Sequence, residues 1–109
     1  MVQIRFYDIG GYLVYSDGKI WSKKRKRFLK PKTDRYGYLQ VTISTSGVRH
    51  YCTIHQLVAM CFLEDWNTEL TVNHMDEDKT NNNDWNLEML TNRDNQRYSS
   101  AKKVIRSDG

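Results

Sequence analysis

The chain opens with period-two alternation. Val2, Ile4 and Phe6 alternate with Gln3, Arg5 and Tyr7, which predicts a half-buried strand. Gly10 and Gly11 break it. Tyr12 to Tyr15 is a second apolar run, and Ser16-Asp17-Gly18-Lys19 predicts a tight hairpin turn, because Asp-Gly supplies the positive φ that such turns need. Ile20 and Trp21 begin the returning strand, which leads into a basic run, and Pro31 marks a loop. Leu39, Val41 and Ile43 share one face of a further strand, with Tyr38, Gln40 and Thr42 on the other. Thr45-Ser46-Gly47 turns the chain, and Val48 to Thr53 returns as the partner strand.

The period then changes. Ile54, Leu57, Val58, Cys61 and Phe62 follow at i, i+3, i+4, i+7 and i+8, one apolar stripe of a helix. Thr53, with Gln56 three residues on, is a capping-box signal for its start. Glu64 to Leu70 reads as a connector with Trp66 packed. Alternation resumes at Thr71 to His74, a polar loop follows, and a second strand is expected from Asn86 to Leu90, with Trp85, Leu87 and Met89 in the core. Thr91 with Asp94 predicts the cap of a last helix, and Lys102 to Gly109 is expected to fray.

At 109 residues this is one domain, or one compact unit of two small lobes, and 39% hydrophobic content allows a modest core. No stretch approaches the roughly 18 apolar residues that span a bilayer. MVQIRFYD alternates where a signal peptide would be continuously apolar, so neither a signal peptide nor secretion is expected. Cys52 and Cys61 are too far apart for a zinc knuckle and are expected to be buried thiols.

Charge adds more. The net charge is +4, but Lys23, Lys24, Arg25, Lys26, Arg27, Lys30, Lys32 and Arg35 crowd a stretch whose only acid is Asp34. Glu64 to Glu88 is acidic, and the tail from Arg93 to Arg106 is basic again. Such a patch suggests a polyanion partner over a merely solvated face, since Trp21 and Phe28 flank the charges and could stack or wedge. Cations along a DNA backbone add affinity but little sequence information.

The candidate chemistry lies between Thr71 and Tyr98. His74 ends one strand, Asn86 opens the next and Asn95 sits one turn into the last helix, so the three could converge. A histidine beside oxygen ligands can hold a divalent metal and activate a water. Asp76, Asp78 and Glu88 do not make a calcium EF-hand: Asn81 replaces the glycine of the sharp turn, and Glu88 comes one residue late.

VNHMDEDKTNN, then NLE at Asn86 to Glu88, then Thr91 and Asn95 resemble the HNH endonuclease family, in its phage and intron homing branch. GYLVYSDGKIWS, GYLQVTI and HQLVAMCF resemble the module that precedes the HNH core there. The resemblance implies an α+β fold: N-terminal β-hairpins and a linking helix, followed by a ββα-metal core. Residues 1–52 would be a basic DNA-contacting module and residues 53–109 the nuclease core, in one compact unit. It further implies a metal-dependent endonuclease acting on double-stranded DNA, with His74 as general base. An imidazole, with an ordinary pKa of about 6.5, suits that role. Asn86 is expected to brace the loop and to fix the backbone and ring of His74. Asn73 and Asn95 are the implied ligands of one Mg²⁺ or Mn²⁺. Asp76 is expected to brace the loop, and His55 to touch phosphate or support the site. Three positions depart from the wider family: Asn73 replaces a common Asp and should weaken the metal, Asn95 replaces the His of the family name, and Tyr98 stands where His is frequent. One site per chain predicts nicking, by a monomer or weak homodimer. Many homing relatives carry a further C-terminal DNA-binding region and this chain ends soon after the expected last helix, so low or short-site specificity is expected. The resemblance also implies a cytoplasmic location, in a bacterial host if phage-encoded. The alternative is a non-catalytic nucleic-acid-binding protein on the same scaffold.

Overall fold

The first hairpin is set by Gly10 and Gly11, both at positive φ (62° and 96°). The turn they make pairs Ile9 with Tyr12, and from that anchor β1 (Phe6–Ile9) runs antiparallel to β2 (Tyr12–Tyr15). The computed structural model describes residues 3–91. The Asp17-Gly18 turn then forms as the sequence predicts: Gly18 N–H donates to Tyr15 O and Tyr15 N–H to Lys19 O, both at 2.9 Å. β3 (Ile20–Ser22) and the short β4 (Arg27–Phe28) complete a sheet in the order β1-β2-β3-β4.

A second sheet follows in the order β5 (Lys32–Thr33), β6 (Leu39–Thr45) and β7 (Val48–Thr53). Helix α1 (Ile54–Phe62) continues directly from β7. β8 (Thr71–His74) and β9 (Leu87–Leu90) form a third, two-stranded antiparallel sheet with His74 opposite Leu87. Ile54, Leu57, Val58 and Ala59 of α1 are buried against Val14 and Ile20, Val41 and Ile43, and Val72 and Leu87. Each of the Val, Leu and Ile side chains among them contributes roughly 1.5–3 kcal/mol on burial. The helix therefore ties all three sheets to one core, and the β8–β9 hairpin takes its orientation from that contact.

Several expectations fail for local reasons. The first strand is Phe6–Ile9, at an edge, and leaves Ile4 and Phe6 exposed. The glycine turn fixes its register to β2, which ends at Tyr15, so pairing stops at Phe6. Val2 lies outside the described residues. Thr53 makes no side-chain capping bond, because it is already held as the last residue of β7. The buried face of α1 is wider than the apolar stripe and includes His55. Trp85 is 53% exposed, outside the core. It sits in a 3-10 turn, Asp84–Asn86, where alternation does not apply, and β9 begins only at Leu87. Cys52 and Cys61 are free and half-buried, and desolvation raises both thiol pKa values. The expected last helix lies outside the described residues.

Candidate active site

Alternation along β8 sends Val72 and His74 toward α1 and Thr71 and Asn73 to the opposite face. The chain turns immediately after His74, and Asn86 holds that turn. Its backbone carbonyl accepts Met75 N–H (2.8 Å) and its side-chain oxygen accepts Asp76 N–H (3.1 Å). Its amide donates to Asp76 Oδ1 (2.8 Å) and to Asn81 O (2.9 Å). Asp76 also accepts from Asn81 Nδ2 (2.7 Å) and Asp78 N–H (2.9 Å). The Asn81 amide first, then Asp78 N–H and the Asn86 amide, hold the Asp76 carboxyl below the usual carboxylate range. Asp76 thus braces the loop.

The His74 ring has a different keeper. Its Nε2 lies 2.7 Å from Asn82 Oδ1, and both residues are buried, at 4% and 3% exposure. With the amide oxygen accepting, the proton sits on Nε2 and the lone pair on Nδ1. Asn86, expected to fix both backbone and ring, fixes only the backbone after His74, because its amide is taken up by Asp76 and Asn81. Asn82 is in turn buttressed by the first module. A Cβ on Gly18 would meet Asn82 Cβ at 3.0 Å, and Gly18 has φ +92°. Asp84 N–H donates to Ser16 O (2.8 Å), and Arg5 pairs with Asp84.

His55, on α1, places its ring 5.1 Å from that of His74. It is 6% exposed, and its Nδ1 is buried with no hydrogen-bond partner among the described residues. Burial chiefly, with His74 beside it and Asp34 opposing, lowers its pKa to about 4. At neutral pH it is an uncharged neighbour of His74. Tyr38 packs on both rings, 4.7 Å from His55 and 5.9 Å from His74.

Asn73 does not share a face with His74. It stands opposite Glu88 in the β8–β9 ladder, so those two side chains leave the hairpin on one side. Its Nδ2 is buried with no partner among the described residues. Turning the amide by 180° would put its oxygen there, a flip that hydrogen-bond networks commonly decide. Asn73 therefore fits as one hard oxygen donor to a cation. Among the described residues no group of three His, Cys, Asp or Glu side chains could hold a metal. Asn95, the other candidate ligand, and Tyr98 lie outside the described residues.

Six of the eight basic candidates line two grooves, and Lys26 and Arg35 line neither. Arg25, Arg27, Lys30 and Lys32 line one of about 460 Å³ that also exposes Phe28 and Tyr51. Lys23, Lys24 and Arg25 line another, of about 540 Å³, beside the Gly10–Gly11 turn. Lys23 is paired with Asp8, Lys26 has positive φ (54°) in the β3–β4 connection, and Arg35 lies over the Tyr36 ring (5.5 Å). Trp21 packs edge-on against Phe28 at 4.9 Å.

Sequence reasoning misses Asn82 and Tyr38. The signal for Asn82 is the run Asn81-Asn82-Asn83, which reads as a generic polar loop until the middle residue is seen to point inward. Alternation assigns Tyr38 to the polar face of β6, but the strand starts at Leu39.

The His74–Asn86 geometry stands on a chain with known relatives. An uncharacterised HNH endonuclease of Acanthamoeba polyphaga mimivirus is 48% identical over 84 residues, 77% of this chain and 26% of that protein. The DNA endonuclease I-HmuI of Bacillus phage SP01 is 33% identical over 86 residues, 79% of this chain and 49% of that one. The solved structure of the HNH homing endonuclease I-HmuI, concerned with DNA binding and cleavage, matches with TM-score 0.87 at 28% identity. That match covers 93% of this chain and 60% of the other. This chain is a homologue of the HNH endonucleases. No protein-family model matches it. The chain spans from about a quarter to about half the length of these two curated relatives. The mixed α+β architecture is that of the I-HmuI fold.

Proposed function

We propose that this chain carries the catalytic region of a metal-dependent HNH endonuclease that hydrolyses phosphodiester bonds in double-stranded DNA. The observation that supports it best is a buried His74 whose ring is held through Nε2 by Asn82, next to a turn locked by Asn86. That arrangement leaves Nδ1 as the proton acceptor. Water attacks phosphorus, its proton passes to Nδ1 of His74, and the bond to the 3′ oxygen breaks. Asn86 keeps the backbone after His74 from drifting, and Asp76 keeps Asn86 in place.

Asn95 would hold one divalent cation, Mg²⁺ or Mn²⁺, with Asn73, which leaves β8 on the face opposite His74, as its second ligand or close support. When bound, it would neutralise charge on the phosphate and leaving oxygen. The amide of Asn73 carries no formal charge, so the cation would lean more on the DNA phosphate than in relatives with a carboxylate there. The two basic grooves would run along the duplex backbone and set affinity with little sequence information. A single site favours nicking.

The test is incubation of supercoiled plasmid with the protein and Mg²⁺, with and without chelator. Relaxed plasmid that appears only without chelator is the expected product. Saturable DNA binding with no relaxation or linearisation under Mg²⁺ or Mn²⁺ would favour the non-catalytic alternative.

A further inference from the structure

Three aromatic rings from three separate parts of the chain meet, and one of them is the proposed base. His74 comes from the end of β8, His55 from the first turn of α1 and Tyr38 from the turn that precedes β6. The Tyr38 ring lies 26° from parallel to that of His74 at 5.9 Å, and 4.7 Å from His55, which is itself 5.1 Å from His74. Tyr38 is not held loosely. Asp34 Oδ1 accepts from Tyr36 N–H (2.8 Å) and Tyr38 N–H (3.0 Å), closing the turn, and Gly37 stands within it at φ +89°. From the loop beyond β8, Lys79 Nζ donates to Tyr36 O (2.7 Å) and lies over the Tyr38 ring (4.8 Å).

Burying His55 has a cost that its own packing does not explain. Its Nδ1 is buried without a partner among the described residues, where an apolar side chain of similar size would leave nothing unpaired. A role beyond filling space accounts for the imidazole there.

We propose that Tyr38 and His55 are positioning residues that hold the His74 imidazole in one orientation, so that Nδ1 faces the attacking water. Asn82 fixes the proton on Nε2 and pins one edge of the ring; Tyr38 and His55 restrict its rotation. Neither touches DNA or the reacting atoms. Because Tyr38 belongs to the same turn as Arg35 and Tyr36, backbone contacts made by the basic module are felt at the base through one short turn. The inference rests on His74 being the general base, and its test is arranged so that the two can fail separately.

The variants are Tyr38→Leu, Tyr38→Phe and His55→Leu, each checked by thermal unfolding. The first readout is the ¹⁵N NMR signature of the His74 imidazole at neutral pH, independent of cleavage. Wild type and Tyr38→Phe should show one Nε2-protonated form, and Tyr38→Leu and His55→Leu a mixture of tautomers or broadened ring signals. The second is cleavage at saturating DNA. We expect kcat to fall about 10–100-fold in Tyr38→Leu and His55→Leu, with KM within about twofold, since small misplacements of a reacting group cost that much. Tyr38→Phe should stay near wild type, because the ring and not the hydroxyl does the holding. If His55→Leu unfolds no earlier than wild type yet loses turnover, a purely structural role is ruled out. If the His74 signature and kcat are both unchanged in Tyr38→Leu and His55→Leu, the proposal is overturned. Should the wild type cleave no DNA, the endonuclease reading fails, and the imidazole signature alone still decides whether these two residues orient His74.

Discussion

Asn82→Ala isolates the contact that gives His74 its tautomer. Both partners of the 2.7 Å bond are almost fully buried, so removing the amide leaves Nε2–H without an acceptor. An unpaired buried donor costs about 1–3 kcal/mol. For a domain of this size, each kcal/mol lowers the melting temperature by about 4–8 °C, so a drop of roughly 4–24 °C is expected. Freed of Asn82, the proton can move to Nδ1, and the molecules in which it has moved cannot accept a proton from water. General-base catalysis contributes about 10²–10⁴-fold, and we expect a loss of about 10–100-fold in single-turnover cleavage, measured well below the variant's melting temperature. Asn83→Ala is the control: among the described residues its side-chain amide donates to Asn81 Oδ1 (2.8 Å), in a half-buried loop, and its loss should cost under ~1 kcal/mol with cleavage near wild type. Equal effects from the two alanines, or an Asn82→Ala protein with wild-type melting and cleavage, would refute the reasoning.

Three other outcomes follow from the same geometry. His55 has a folded pKa of about 4 against an ordinary 6.5, so below pH 6.5 the unfolded chain takes up a proton that the folded chain refuses. Stability contributed above 6.5 should therefore be lost as pH falls toward 4, by roughly 3 kcal/mol, and denaturant titrations across that window should flatten in His55→Leu. Gly18→Ala places a Cβ 3.0 Å from Asn82 Cβ at a φ of +92°, and should lower both the melting temperature and cleavage although it is remote in sequence from His74; a Gly18→Ala protein of unchanged stability would contradict the docking of the hairpin on Asn82. Asn73→Asp adds a formal charge where the cation is proposed to sit, and should lower the Mg²⁺ concentration for half-maximal cleavage, read from a metal titration at fixed DNA.

What can be read from the sequence is whatever depends on neighbours along the chain. β2, the Asp17-Gly18 turn, the β6–β7 hairpin, α1 and β8 follow from period and turn chemistry, because each buries one face against a common core. The ends of elements are harder. β1 starts where its partner runs out, which no property of Val2 or Ile4 records, and Trp85 leaves the core because a 3-10 turn interrupts the expected alternation. At the site, motif spacing singles out His74, Asn86 and Asp76, and Asn86 and Asp76 are hydrogen-bonded to each other in the turn after His74. Asn82 and Tyr38 are not, because their importance comes from a ring contributed by another element. Asn73 reads as a neighbour of His74 in space as well as in sequence, but strand alternation puts the two on opposite faces.

The most direct measurement pairs DNA binding with single-turnover cleavage for wild type and His74→Ala in Mg²⁺. If His74 is the base, the variant binds DNA within about twofold of wild type, since the basic grooves are untouched, and its cleavage rate falls by about 10²–10⁴-fold. A His74→Ala protein that cuts plasmid as fast as wild type would contradict the assignment.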